Sequence, residues 1–329
     1  MNKDQIAHFH RRGYVVIPHY LSPSEVALLV EECDSLVNHC AQDADLVEDF
    51  GCVMEPLNVG LVDIAKCDQS RIKHDPVIYR RYRAQVSDDM VPDILLDKMA
   101  CLAAAVLPQE RGIFLLNEQY IVKPPFQGQE TTFGWHQDGQ YLPTDFQGEP
   151  TLACWVALDT VGFQNGSVVV DPYPESPTGA NTGIAPTLLT HLDTYRHHHQ
   201  TAAQRYPPAP PLLSASGPSN PDTGLDQITM DPGSVLVMSS LLRHASPPNS
   251  GSTLRRCWMP QYCCRPLLTP CTQPLNVIYK SPSHTNGNTK DSQSESPSRA
   301  GSDGTQCAQS YPSSETTTLV AWAVPALQL

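Results

Sequence analysis

The sequence predicts a mainly β fold of the sandwich, jelly-roll or barrel kind, preceded by a helical N-terminal part. Two observations predict it. From Ile113 onward, short β-branched and apolar runs alternate with clusters of Gly, Pro, Asn and Asp; before about residue 110, apolar residues recur at helical spacing. Six runs carry the β part: Ile113 to Val122, Leu152 to Leu158, Ser167 to Val170, Ser234 to Met238, Arg255 to Tyr262 and Thr318 to Val324. Short strands with turn-rich connections argue against a parallel sheet, whose successive strands need crossover helices.

In the N-terminal part, Leu21-Ser22-Pro23-Ser24-Glu25 opens a helix, with Ser22 as N-cap, Pro23 in the first turn and Glu25 completing a capping box. Val26, Leu29, Val30, Cys33 and Val37 then form its apolar face. The run Gly13 to Pro18 just before it reads as a short strand, and another helix is expected near Pro92 to Val106. The expected organisation is one structural domain, with a helical lead-in at 1–110 packed on a β core at 111–329. Residues 174 to about 227, rich in Pro, Ser, Thr and His, read as a long loop or lid. Residues 281 to about 316 are almost devoid of large apolar groups and are expected to be disordered.

Composition narrows the function. Of 329 residues, 40% are hydrophobic and 17% charged, which suits a globular chain. A net charge of -13 with no basic run gives no surface for tracking phosphates, so no nucleic-acid partner is expected. The opening MNKDQIAHFHRRGYVV lacks the apolar core of a secretory signal, and no stretch approaches 18 apolar residues, so no membrane partner is expected. Eleven cysteines without a CxxC pair fit a reducing, cytoplasmic setting rather than a disulfide framework or structural zinc. The expected partner is a small molecule, and the expected state a monomer or weak homo-oligomer.

The chemistry concentrates in Gly134-Trp135-His136-Gln137-Asp138-Gly139. Along an extended segment, side chains two apart share a face, so His136 and Asp138 can converge on one cation. One His and one carboxylate make two thirds of a facial triad, which leaves three coordination positions open once a distant His joins. Alone, H-x-D is weak in a chain with twelve His, and a surface loop would produce it as well. A second segment, Gly233 to Ser246, strengthens the case. There a buried strand ends in a loop whose His244 can face the first motif, and eleven residues later Arg255 begins the next strand. A guanidinium there offers a planar fork for the far carboxylate of 2-oxoglutarate.

The motifs GYVVIPHYLSPSEV, LNEQYIVKPP, WHQD, CWVALD, NGS, HASPPNSGSTLRR and LVAWAVP stand in the order and spacing of the phytanoyl-CoA dioxygenase family, which the chain resembles through most of its length. The resemblance implies a double-stranded β-helix and an Fe(II)- and 2-oxoglutarate-dependent oxygenase that uses O2 to hydroxylate or otherwise oxidise a C–H bond, releasing succinate and CO2. It implies that His136, Asp138 and His244 are catalytic iron ligands and that Arg255 pairs with the C5 carboxylate. It further implies that Ser246 assists at that carboxylate, that Gln119 contacts the co-substrate, and that Trp155 lies beside it. Because Asp138 is present, halide has no vacant ligand place and halogenation is disfavoured. After Asn165-Gly166-Ser167 the family's usual Pro-Gly-Ser-His stretch is replaced by Val170 to Ser176, a departure that bears on the substrate rather than the iron. Two other readings stay open: a cupin-type metalloenzyme that does not use 2-oxoglutarate, and a catalytically inactive binding or scaffold protein. His191 and His197-His198-His199 read as a solvated loop, His8 and His10 as surface residues, and Cys263-Cys264 as strand neighbours on opposite faces.

Overall fold

The computed structural model describes residues 1–40, 53–54, 56, 76–83, 90–108, 112–125, 132–142, 146–174, 219–220 and 224–265. The stretch at 281–316, the run Thr318 to Val324, His191 and His197 to His199 lie outside them.

Helix α1 (Lys3–Arg12) starts from Asn2, whose side chain accepts from the Gln5 N–H while Gln5 reaches back to the Asn2 N–H. It stops at Gly13, which adopts φ 80° and donates to the Phe9 carbonyl at 2.7 Å. A Cβ there would also sit 2.6 Å from the Tyr173 ring, so glycine is required twice over. Strand β1 (Tyr14–Ile17) follows, then α2 (Pro23–Cys40), whose predicted capping box forms between Ser22 and Glu25. Strand β2 (Val53–Met54) and helix α3 (Pro76–Arg83) precede a long helical stretch, here α4. It is α-helical at Met90–Asp93, π-helical at Ile94–Met99 and α-helical again at Ala100–Val106.

The remaining strands are β3 (Phe114–Lys123), β4 (Phe133–His136), β5 (Thr151–Ala157), β6 (Val169–Asp171), β7 (Ser219–Asn220), β8 (Leu225–Gln227), β9 (Val235–Ser239), β10 (Arg243–Ser246) and β11 (Arg255–Cys263). They form two antiparallel sheets, a major one in the order β1-β9-β5-β11-β3-β2 and a minor one in the order β4-β10-β6-β8-β7. Two facing antiparallel sheets behind N-terminal helices make the double-stranded β-helix. Five of the six predicted runs are strands. The strand expected at Gly13 to Pro18 is β1, whereas β2 had no signal in the sequence; together they complete the two edges of the major sheet. The stretch read as a loop or lid at 174–227 ends in paired strands, since β7 pairs antiparallel with β8, which reaches Gln227.

Period-2 alternation separates two cores. In β5, Leu152, Cys154 and Val156 face the helices with Leu29, Leu36, Leu95 and Leu102, whereas Ala153, Trp155 and Ala157 face the minor sheet with Val170, Ile228 and Met230. All seven β5 residues are therefore buried, as in a strand covered on both sides. No helix among the described residues is long and apolar enough to cross a membrane.

Helices and major sheet are joined by a buried charged cluster. Arg83, fully buried on α3, bonds Glu32 of α2 and Glu118 of β3, whose carboxylate also accepts from Tyr79 Oη at 2.9 Å and Trp258 Nε1 at 2.9 Å. Tyr120 Oη donates to Glu32 at 2.7 Å. Burial works against the charge on Arg83, but the two carboxylates outweigh it and hold the guanidinium ionised. Replacing Arg83 by Met would leave two carboxylates buried without their cation, at a cost of about 3–5 kcal/mol. We expect a correspondingly lower urea midpoint with an unchanged slope; an unaltered midpoint would show that the cluster does not hold the layers together.

Candidate metal centre

The centre forms where β4 and β10 lie side by side with His136 directly opposite His244. Their ring centroids are 4.1 Å apart. His244 was expected in a loop after a strand. It belongs instead to a strand of its own, held between β4 and β6, which fixes its direction by ladder geometry. Asp138 opens a 3-10 turn (Asp138–Tyr141) rather than continuing β4, but Gln137 between them is extended at φ -124° and ψ 132°, so the two-residue alternation still brings His136 and Asp138 together.

Asp138 Oδ1 lies 3.7 Å from His136 Nε2 and 3.6 Å from His244 Nε2, and the three ligand atoms all fall within 4.8 Å of one another. Each imidazole is fixed from behind: Nδ1 of His136 is 2.7 Å from the Gly134 carbonyl, and Nδ1 of His244 is 3.1 Å from the Leu242 carbonyl. A carbonyl only accepts, so each Nδ1 carries a hydrogen and each Nε2 is the ring atom that faces Asp138. Two imidazole nitrogens and one carboxylate oxygen on one side of a cation are a donor set that suits iron and leaves other positions free.

The other predicted residues gather on the inward faces of β3, β5, β10 and β11. Arg255 is 1% exposed, with its guanidinium carbon 5.2 Å from the centre of a Trp155 ring, and its Nε and Nη1 have no hydrogen-bond partner among the described residues. A buried guanidinium with two idle donors is costly unless an anion completes it. Gln119 is buried on the inward face of β3. Asn117 Oδ1 accepts from the Glu118 N–H, so Asn117 Nδ2 must donate to Gln119 Oε1 at 3.4 Å, which leaves the Gln119 amide nitrogen as the group able to donate onward. Ser246 is engaged: its hydroxyl donates to the Gly166 carbonyl at 2.8 Å and accepts from Lys123 Nζ at 2.7 Å.

Two residues went unnoticed in the sequence. Lys123 is fully buried opposite Arg255 in the β3–β11 ladder and also donates to the Ser246 and Pro247 carbonyls. Gln261 donates from Nε2 to Asp138 Oδ2 at 3.2 Å. The alternation of β11 from Arg255 would have pointed to Gln261 as a residue on the same face, while Lys123 had no signal beyond its place before Pro124.

The phytanoyl-CoA dioxygenase (PhyH) family profile matches residues 9–257. The protein is a non-haem Fe(II)- and 2-oxoglutarate-dependent oxygenase by class, and the chain belongs to the phytanoyl-CoA dioxygenase family. Among solved structures it is similar to the non-haem alpha-ketoglutarate-dependent carbocyclase SnoK from nogalamycin biosynthesis, at 15% identity over 80% of this chain and 84% of that one, TM-score 0.50. It is also similar to EvdO2 from Micromonospora carbonacea var. aurantiaca complexed with 2-oxoglutarate, at 18% identity over 83% of this chain and 95% of that one, TM-score 0.49. A third is EctD from S. alaskensis with 2-oxoglutarate and 5-hydroxyectoine, at 19% identity over 83% and 80%, TM-score 0.49. At these identities the likeness is one of fold. No curated protein sequence matches the chain.

The secondary candidates among the described residues are surface or packing residues. His10 is exposed, and His8, half-buried, stands edge-on to Tyr14 at 5.5 Å. Cys263 and Cys264 approach different carbonyls, those of Phe114 and Pro150. Cys33, Cys101, Cys154, Cys257, Cys263 and Cys264 are free thiols, and Cys33, Cys154, Cys257 and Cys263 are buried. Burial pushes each of these four thiols up, Cys257 and Cys263 to about 12, with the Arg255 charge opposing the rise at Cys257. At pH 8 in the folded protein, iodoacetamide should label exposed Cys101 and spare these four, as read by peptide mass mapping. Rapid labelling of Cys257 would contradict the closed interior.

Proposed function

We propose that this chain is an Fe(II)/2-oxoglutarate dioxygenase that hydroxylates, or otherwise oxidises, a C–H bond of a small organic substrate, with His136, Asp138 and His244 as its iron ligands. The observation that carries the reading is the convergence of two carbonyl-locked imidazoles on Asp138 Oδ1 in the same interior as a buried guanidinium with two idle N–H groups. A cupin-type centre without a 2-oxo acid would have no use for that guanidinium.

Bound iron would supply the oxygen chemistry, in which O2 oxidatively decarboxylates 2-oxoglutarate to succinate and CO2 and a substrate C–H bond is oxidised. The protein's share is holding and shielding. His136 and His244 offer neutral Nε2 atoms, and Asp138 contributes the anionic oxygen that offsets part of the metal charge. Arg255, set against Trp155, takes the far carboxylate of the co-substrate through its guanidinium N–H groups. Gln119 donates to the same co-substrate, and Ser246 becomes a further anchor when its O–H turns from the Gly166 carbonyl to the carboxylate. The apolar lining from β5, β6 and β9 keeps water out, which strengthens each of these electrostatic contacts. The lead-in at 1–110 and the core from 111 onward work as one structural domain, a reading supported by the place of β1 and β2 in the core's own sheet.

Asp138→Ala should abolish 2-oxoglutarate-dependent succinate release in an assay run with Fe(II) and a metabolite panel; wild-type release from that variant would sink the ligand assignment. Arg255→Ala loses a buried charge-assisted contact valued at about 2–5 kcal/mol, so the 2-oxoglutarate concentration for half-maximal rate should rise roughly 30-fold or more. In the wild type, anaerobic Fe(II) and 2-oxoglutarate should raise the melting temperature by mass action, and the co-substrate's part of that rise should vanish in Arg255→Ala.

A further inference from the structure

On the reading of His136, Asp138 and His244 as metal ligands, we infer that Gln261 is a positioning residue that keeps Asp138 a one-oxygen ligand. Asp138 has two equivalent oxygens, and nothing in a carboxylate itself decides which faces the imidazoles or whether both bind a cation. The structure supplies the decision. Oδ1 stands 3.7 and 3.6 Å from the two Nε2 atoms, while Oδ2 accepts from Gln261 Nε2 at 3.2 Å. Because a carboxylate only accepts, the amide nitrogen and not its oxygen must face Asp138, so the orientation of Gln261 is fixed by its partner.

Gln261 is placed for this by the sheet. It lies six residues beyond Arg255 on β11, an even spacing that puts both side chains on the inward face. β11 keeps a single register with β5 from Cys257 to Cys263, so the face of Gln261 is set by regular alternation; the one slip against β3, just after the Gln261–Asn117 pair, places the extra residue, Leu116, on β3. The donor is also of the right kind. A neutral amide holds Oδ2 without cancelling the carboxylate's charge, whereas a Lys or Arg there would compete with the metal for it. If Oδ2 were released, Asp138 could bind through both oxygens and take one of the positions that the co-substrate and O2 require.

The test is metal binding by the full-length protein, separate from turnover. Gln261→Met keeps the chain length and bulk while removing the donor, and Gln261→Leu serves as a second variant should Met perturb folding. Co(II), titrated anaerobically and followed by its visible absorption, is the probe. Loss of an outer partner of a ligand should weaken Co(II) binding about 10- to 100-fold and change the shape of the visible bands, with the urea midpoint of the metal-free protein unchanged. Wild-type affinity and wild-type bands in both variants would overturn the role of Gln261 while leaving the metal centre standing. Failure of the wild type itself to bind Co(II) would overturn the metal-centre reading, and the role of Gln261 with it.

Discussion

The structure depends on one strand register. In the β4–β10 ladder His136 stands opposite His244, and because side chains alternate strictly along a strand, a one-residue slip would turn one imidazole to the outer face. The register is pinned from both sides of the ladder. Gln137 Nε2 donates to the Leu241 carbonyl at 2.7 Å, and the Gly139 N–H to that of Ser240 at 2.9 Å, so the turn carrying Asp138 is tied to the turn preceding β10. On the other edge, Arg243 pairs with Asp171 of β6 at 3.1 Å. The ligand set is thus a by-product of sheet pairing, with small adjustments left to individual side chains.

A second fastening sets where Arg255 stands relative to His244. The connection between β10 and β11 is clamped to the end of β3: Lys123 Nζ reaches Ser246 Oγ and the carbonyls of Ser246 and Pro247, and Asn249 Nδ2 donates to the Lys123 carbonyl at 2.9 Å and to that of Thr253 at 2.8 Å. Gly166, at φ 79°, completes the clamp, since a Cβ there would lie 2.8 Å from both Lys123 Cδ and the Pro247 oxygen. The NGS and KPP motifs therefore meet in space, and the same few atoms explain why a glycine and a lysine stand where they do.

Much of this was legible in the sequence where a local signal exists. The capping box at Ser22 and Glu25, the turn-bounded strands of β3, β5, β9 and β11, and the H-x-D spacing each write their geometry into a few neighbouring residues. What was not legible is pairing across long separations. The four residues Arg243 to Ser246 are too short to show a period, so β10 passed for a loop. Likewise β1 reads as an isolated run, and only its antiparallel partner β9 makes it an edge of the major sheet. The Arg83 cluster draws its members from α2, α3, β3 and β11, and no pattern within any one of them announces a buried ion group.

On the proposed reading, Arg255 would couple the fold to its surroundings. Its Nε and Nη1 have no hydrogen-bond partner among the described residues, and a carboxylate bound there would complete them. The folded population would then rise with the amount of that carboxylate present, and a shortage of it would leave more of the chain open to unfolding.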